Sequence, residues 1–342
     1  MTQTILKALS GNAVRPYPIW MMRQAGRHLP EYLKIRSNAK DFIDFCFSPD
    51  KAAEVTLQPV RRYDMDAAIL FADILLVPIA LGRDVKFIKG TGPVLNPITV
   101  QDIQKMSCDM SVLTPVYETV SKVRSDLAKE KTLIGFCGGP WTVATYMIEG
   151  RGSPKKEMAK RFAYENIEAM DDLLHHLADA SADYLINQAK AGADVLKIFE
   201  SWAENLAPDL FDRLVMSPTR QIIDKIRSKG IKTPIIGFPR GAGLNAVRYA
   251  NNLPLDGCAA GTDVPMEMFR AQIPKNMCTQ GNLDPLALRI GGDTLRSSVQ
   301  SVLDSLSGPH IFNLGHGVAP DVKIENVQAV ISHVRTGDGH YV

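Results

Sequence analysis

The chain has 342 residues, with 39 Lys and Arg against 37 Asp and Glu, for a formal net charge of +2. That balance excludes the overall basic excess by which a protein grips nucleic-acid phosphates. A composition of 45% hydrophobic and 22% charged residues excludes a disordered chain.

Residues 1–16, MTQTILKALSGNAVRP, contain no long apolar stretch and no cleavage-site pattern, so no export signal is expected. The segment MMRQAGRHLPEY follows and sets Arg23 and Arg27 four residues apart, on one face if it is helical. Two guanidiniums so placed suit bidentate capture of carboxylates or phosphates, and a solvated basic face is the competing reading. Trp20, Met21, Met22 and Leu29 flank them, which points to a partly buried segment. Residues 67–81, AAILFADILLVPIAL, are too few to cross a bilayer of about 30 Å and include Asp73 and Pro78; a buried strand and the turn after it are expected, with no membrane span. Asp73 is the only charged residue in that run. A carboxylate there must be paired, hydrogen-bonded or raised in pKa, and it either receives ligand N–H groups or caps its own turn.

Farther on, helix-period stretches alternate with short apolar runs. LIGFC at 133–137 reads as a strand. Residues 155–191 carry apolar positions at Met158, Phe162, Ile167, Met170, Leu173, Leu174 and Leu177, and Gly192 closes this predicted helix at C′. A strand at 195–199 follows, then a helix opened by Ser217-Pro218 and closed by Gly230, then a strand at 234–238. Runs at 255–259 and 277–280 are further strands. A helix through Leu295, Val299, Val302, Leu303 and Leu306 stops at Gly308 ahead of a strand at 310–314, and a last amphipathic helix carries Val327, Val330, Ile331 and Val334. Seven nearly continuous apolar strands alternating with helices imply a parallel sheet covered on both faces, with an eighth strand either irregular or missed. The spacing favours an α/β fold, a (β/α)8 barrel first and a doubly wound open sheet second.

In both folds ligands bind at the carboxyl ends of the strands. The polar residues placed there are Asp73, Trp141, Tyr146, Ser201, Arg240, Asp263, Asn282, Asp284 and His316. His316 lies between Gly315 and Gly317, which suits either close ligand approach or a capping turn. His310 and His316 lack the companions of a metal site, and no metal is expected. GAGLNA at 241–246 matches G-x-G-x-x-A with Asp263 downstream, but Pro239-Arg240 interrupts the junction and no second nucleotide-binding half follows. The five cysteines, Cys46, Cys108, Cys137, Cys258 and Cys278, have no C-x-x-C spacing, so a reducing, cytoplasmic setting is expected.

MMRQAGRHLPEY, FADILLVP, GGPWTVATYMIEG, FESWA and FNLGHGVAPD occur in that order from residue 21 to 321. Together they closely resemble the uroporphyrinogen decarboxylase family of haem and tetrapyrrole biosynthesis. The resemblance implies a cytoplasmic homodimer of single-domain, distorted (β/α)8 TIM-type barrels spanning 1–342, with about 1–60 as an N-terminal extension that binds substrate at the barrel mouth. It implies conversion of the four acetates of uroporphyrinogen III to methyls, giving coproporphyrinogen III and four CO2, with no cofactor and no nucleic-acid or membrane partner. Arg23, Gln24, Ala25, Gly26 and Arg27 would bind substrate carboxylates, with Arg23 and Arg27 also catalytic; Asp73 would reach the pyrrole N–H groups; Tyr146, Ser201, His316 and Arg240 would complete the contacts. His28 and Val264 depart from the family pattern, which more often has aromatic residues there. Two rivals remain: a zinc-dependent corrinoid or thiol methyltransferase of similar fold, for which Cys258 and Cys278 lack an H-x-C companion, and a tetrapyrrole-binding protein without catalysis.

Overall fold

All seven apolar runs become strands of one sheet. The computed structural model describes residues 3–88 and 90–337. Among them the strands are β1 (Ala67–Ile69), β2 (Val85–Ile88), β3 (Gly92–Leu95), β4 (Thr132–Gly138), β5 (Val195–Glu200), β6 (Ile235–Pro239), β7 (Gly257–Ala259), β8 (Cys278–Leu283) and β9 (His310–Leu314). Strands β2 and β3 form an antiparallel hairpin that the apolar pattern did not announce, because it is only half-buried. The other seven are parallel neighbours in the order β1-β4-β5-β6-β7-β8-β9, joined by helical crossovers. Each strand thus sits beside the next one in sequence, an α/β arrangement consistent with a TIM-type barrel. Strand β4 is buried at every position, as covering on both faces requires.

Neither edge of the sheet is bare. Residues 18–22 run beside β9: Phe312 N donates to Pro18 O, Trp20 N to Phe312 O, and Met22 N to the Asn313 side chain. The same segment meets the start of β1, where Asp66 N donates to Ile19 O and the Asp66 carboxylate accepts from Ile19 N at 2.8 Å. No apolar alternation marks 18–22 as a strand, because proline and side-chain bonds replace part of the ladder.

Several expectations need correction. Residues 21–29 form turns, so Arg23 and Arg27 do not share a helix face. The helix expected over 155–191 is two, Glu157–Glu165 and Ile167–Lys190, broken at Asn166. Ser217–Ser228 opens no helix of its own: it continues from Pro208–Phe211 through a π-turn at Asp212–Met216. The short helix Leu76–Ala80 follows β1 where a turn was expected.

The N-terminal part divides between the two ends of the sheet. Helix Thr4–Leu9 buries Ile5, Ala8 and Leu9. It lies at the strand starts, with Gln3 bonded to Thr132 and Leu9 against Gly257. Only beyond Met22 does the chain reach the carboxyl ends. Apolar side chains that close one end of the sheet cannot also face a charged ligand at the other.

No helix among the described residues is long and apolar enough to cross a membrane. All five cysteines are free thiols; Cys46, Cys137, Cys258 and Cys278 are buried and Cys108 is exposed.

Candidate active site

The turn that carries the arginines is tied to the sheet by Gln24. Its side chain is buried, accepts from Met21 N at 3.1 Å and donates to Ala67 O at 2.8 Å, bracketing the turn onto β1. Gln24 therefore serves the fold with its side chain, while Ala25 and Gly26 shape the half-buried turn beside it. Arg23 adopts φ 61°, a left-handed conformation unfavourable for a residue with a Cβ, and both it and Arg27 are exposed. The Arg23 side chain lies on Gly317, where a Cβ would stand 2.5 Å from Arg23 Cδ. The glycine after His316 thus makes room for this arginine, the close approach being to protein and not to ligand.

Asp73 follows β1 and is half-buried. Its Oδ1 accepts from Leu75 N at 2.8 Å, the turn cap foreseen as one of its two readings. Oδ2 remains for an outside donor. Burial raises its pKa to about 6, offset by the Leu75 amide and by Arg23. Tyr146 comes from helix Pro140–Glu149, which proline opens after β4. Its ring meets Trp202 edge-on at 5.5 Å, and burial raises its pKa, as does Asp73, while Arg23 and Arg240 lower it. His316, after β9, is pushed down to about 4 by burial, then by Arg23 and Arg240, and so is neutral near pH 7. Arg240, after β6, donates from Nε to Ser201 O at 2.9 Å, joining it to the residue that follows β5.

Arg23, Asp73, Tyr146, Ser201, Arg240 and His316 thus come together at the carboxyl ends of five strands or their approaches. Arg27 stands farther out, close enough to Tyr32 to act on its hydroxyl together with Arg36. The remaining rim residues have structural duties. Trp141 is buried with its indole N–H on Trp202 O. Asn282 ties Gly261 O to Val264 O, and Asp284 caps Pro285–Ile290. Asp263 accepts from Gly243 N at 3.2 Å, which gives the G-x-G loop a use unrelated to a dinucleotide. His310 is a buried histidine bonded at both ring nitrogens, to Thr279 and Gly281 O. Among the described residues no three His, Cys, Asp or Glu side chains gather as a metal-binding group.

Sequence reasoning passed over three charged residues near this rim. Glu200 ends β5, fully buried; its Oε1 accepts from Thr142 N at 2.7 Å and from the Thr142 hydroxyl, and burial raises its pKa to about 8. Lys156, also fully buried, pairs with Glu204 at 2.6 Å. The signal available for Glu200 was weaker than the one used for Asp73: a carboxylate ending an apolar run that also holds Lys197. Lys156 and Glu204 sit in polar loops, and their pairing is invisible without the fold.

A family model described as uroporphyrinogen decarboxylase (URO-D) matches residues 1–337. The chain is 51% identical over 334 residues to the uroporphyrinogen decarboxylase of Maricaulis maris (strain MCS10), with 97% of each chain covered. It is 49% identical over 340 residues to that of Brucella canis (strain ATCC 23365 / NCTC 10854 / RM-666), covering 98% of this chain and 99% of the relative. Among solved structures, a methyltransferase from Methanosarcina mazei superposes with a TM-score of 0.81 over 98% of this chain and 99% of its own, at 18% identity. At that identity the likeness concerns the fold alone.

Proposed function

The chain belongs to the uroporphyrinogen decarboxylase family, and from that premise we propose that it removes the four acetate carboxyls of uroporphyrinogen III as CO2, leaving methyls and coproporphyrinogen III. The observation that carries this reading is Asp73: a carboxylate perturbed to about 6, within the reach of Arg23 and Tyr146, with Arg23 and Arg240 acting together on Tyr146 and His316. An octacarboxylate tetrapyrrole needs cations at its periphery and an anion at its pyrrole N–H groups, and the site offers both.

The chemistry follows from electron bookkeeping. A proton added to the ring carbon that lies between the nitrogen and the carbon bearing the acetate arm makes an iminium-like cation conjugated to that arm. The C–C bond to the carboxylate then breaks, CO2 leaves, and its electron pair neutralises the ring as an exocyclic methylene. A second proton completes the methyl, and loss of the first restores the pyrrole, so each step consumes one proton net. The ring is the electron sink, which removes the need for one supplied by a cofactor. Ionised Asp73, accepting pyrrole N–H bonds, stabilises the cation as it forms, where preorganised charge contributes most. Arg23, Arg27 and Arg240 hold carboxylates, and Gln24, Ala25 and Gly26 contribute the turn that presents the first two.

We read residues 1–342 as one domain in which 18–22 act as the irregular eighth stave of a barrel, and we take the working form to be a cytoplasmic homodimer. Anaerobic incubation with uroporphyrinogen, followed by oxidation and chromatography, is expected to yield hepta-, hexa-, penta- and tetracarboxyl porphyrins after exhaustive dialysis against chelator. Unchanged octacarboxyl material from folded protein overturns the reading. Sedimentation tests the dimer, and a single-subunit mass would refute it.

A further inference from the structure

The loop after β5 holds a carboxylate to which the reaction assigns no part. Glu204 is gripped on one oxygen only: Oε1 accepts from Lys156 Nζ at 2.6 Å. Lys156 is itself fully buried, anchored a second time on Pro154 O at 3.2 Å, and its ammonium stands 5.1 Å from the Trp202 ring centroid. The lysine is thus immobile, and it fixes Glu204 in turn. The other oxygen, Oε2, is buried and accepts no hydrogen bond. An unsatisfied carboxylate oxygen is costly unless a charge stands nearby.

The charge that stands nearby is Arg240, whose Nη2 lies 3.9 Å from Oε2. That is too long for a hydrogen bond and short enough for an ion pair. The arginine is hinged rather than clamped. Its backbone N donates to Glu200 O at 3.0 Å and its Nε to Ser201 O at 2.9 Å, while its two Nη groups make no hydrogen bond among the described residues and so are open to a carboxylate after a small tilt of the guanidinium. Toward the site, its charge already acts on Tyr146 and His316. Gly241, at φ 74°, permits the arrangement, since a Cβ there would lie 2.8 Å from Glu204 Cβ.

We propose that Glu204 is a positioning residue that competes with the ligand for Arg240: it holds the guanidinium as an internal stand-in for a substrate carboxylate and releases it when a ligand carboxylate arrives. The inference rests on the tetrapyrrole reading above. Its consequence is graded affinity. A ligand that has lost carboxylates recaptures Arg240 less well, Glu204 takes it back, and the product leaves.

The test is anaerobic equilibrium dialysis with coproporphyrinogen, a tetracarboxylate the enzyme does not turn over, quantified after oxidation. Glu204→Gln keeps an oxygen for Lys156 but removes the charge facing Arg240, and it is expected to lower Kd about fivefold, the scale of a partly exposed ion pair. Arg240→Met is expected to raise Kd, and in that background Glu204→Gln is expected to change Kd less than about twofold. Glu204→Asp, which withdraws the carboxylate by one methylene, shifts Kd in the same direction by less and serves if the Gln variant folds poorly. An unchanged or raised Kd in Glu204→Gln overturns the proposal. So does an equal effect with and without Arg240, which would mean that Glu204 acts only through Lys156 and the fold. A wild-type protein that binds no tetrapyrrole refutes the underlying reading instead, and is recognised by its failure in the first arm.

Discussion

The open rim of the sheet and the sealed positions beneath it differ in what acts on an ionisable group besides burial. At the rim Arg23 and Arg240 act together on Tyr146 and His316, and Arg23 also lowers the pKa of Asp73. In the interior Lys197 is buried without a hydrogen-bond partner, its ammonium 5.2–5.4 Å from the rings of Trp20, Phe199 and Phe238. Burial lowers its pKa to about 7, just as burial raises Glu200 to about 8. Burial is the largest influence in both places; at the rim the charges of Arg23 and Arg240 act on several groups at once, whereas Lys197 meets only the charges of buried thiols and Glu200 is offset mainly by its bonds to Thr142. The first arrangement suits a binding site, and the second loads stability.

Substitutions separate the two. The largest effect is expected from Asp73→Asn, which keeps the shape and removes the charge: kcat falls by about 10²–10³ if Asp73 stabilises a developing cation. If the working form is the anion, as proposed, kcat/KM is expected to fall as pH drops through about 6, and the variant's profile to lose that limb. Next, Arg23→Met is expected to lower kcat/KM by about 10–100-fold, the worth of a charge-assisted carboxylate contact, with the loss diminishing at high salt.

The interior substitutions act on stability instead. Lys197→Met is expected to raise stability at pH 7 by about 1–4 kcal/mol. The sign follows from linkage. The folded state holds Lys197 at about 7 against an ordinary 10.5, so its penalty is full below about pH 7 and is relieved as pH rises toward 10. The gain from Lys197→Met therefore shrinks with rising pH.

Glu200→Gln runs the other way. Its folded pKa lies above the ordinary 4.5, so the wild type loses stability between about pH 4.5 and 8, and the Gln variant gains on it over that span. The gain is expected to be about 1–3 kcal/mol at pH 7, reduced by the tight fit of the side chain against Gly139. Thermal unfolding at pH 5, 7 and 9 checks both; parallel trends in the two variants would remove the distinction drawn here. The smallest effect is expected from His316→Asn: a rise of a few-fold in KM, with the acid limb near pH 6 unmoved, because His316 is already neutral there.

Much of this molecule is legible without coordinates. The seven parallel strands were readable because double-sided burial writes continuous apolar runs. Asp73 was readable because a carboxylate inside such a run must have a reason. The hairpin at 85–95 was not, being half-exposed and short, nor was the π-turn that joins two helices into one at Asp212–Met216. Gln24 shows the limit within a motif: its place in RQAGR suggests a ligand contact, and only the structure reveals that its side chain also brackets the turn to β1.

The sequence by itself determined the fold class, the seven apolar strands and the family, because periodicity and residue identity along the chain are local properties; the strand order came from the structure. Only the tertiary structure decided which charges face one another. That residues 18–22 bridge β9 and the start of β1, that Arg23 lies across Gly317, and that Lys156 and Arg240 share Glu204 all depend on parts of the chain far apart in sequence. Electrostatic coupling falls off over a few ångströms of space, and no spacing along a sequence records that distance.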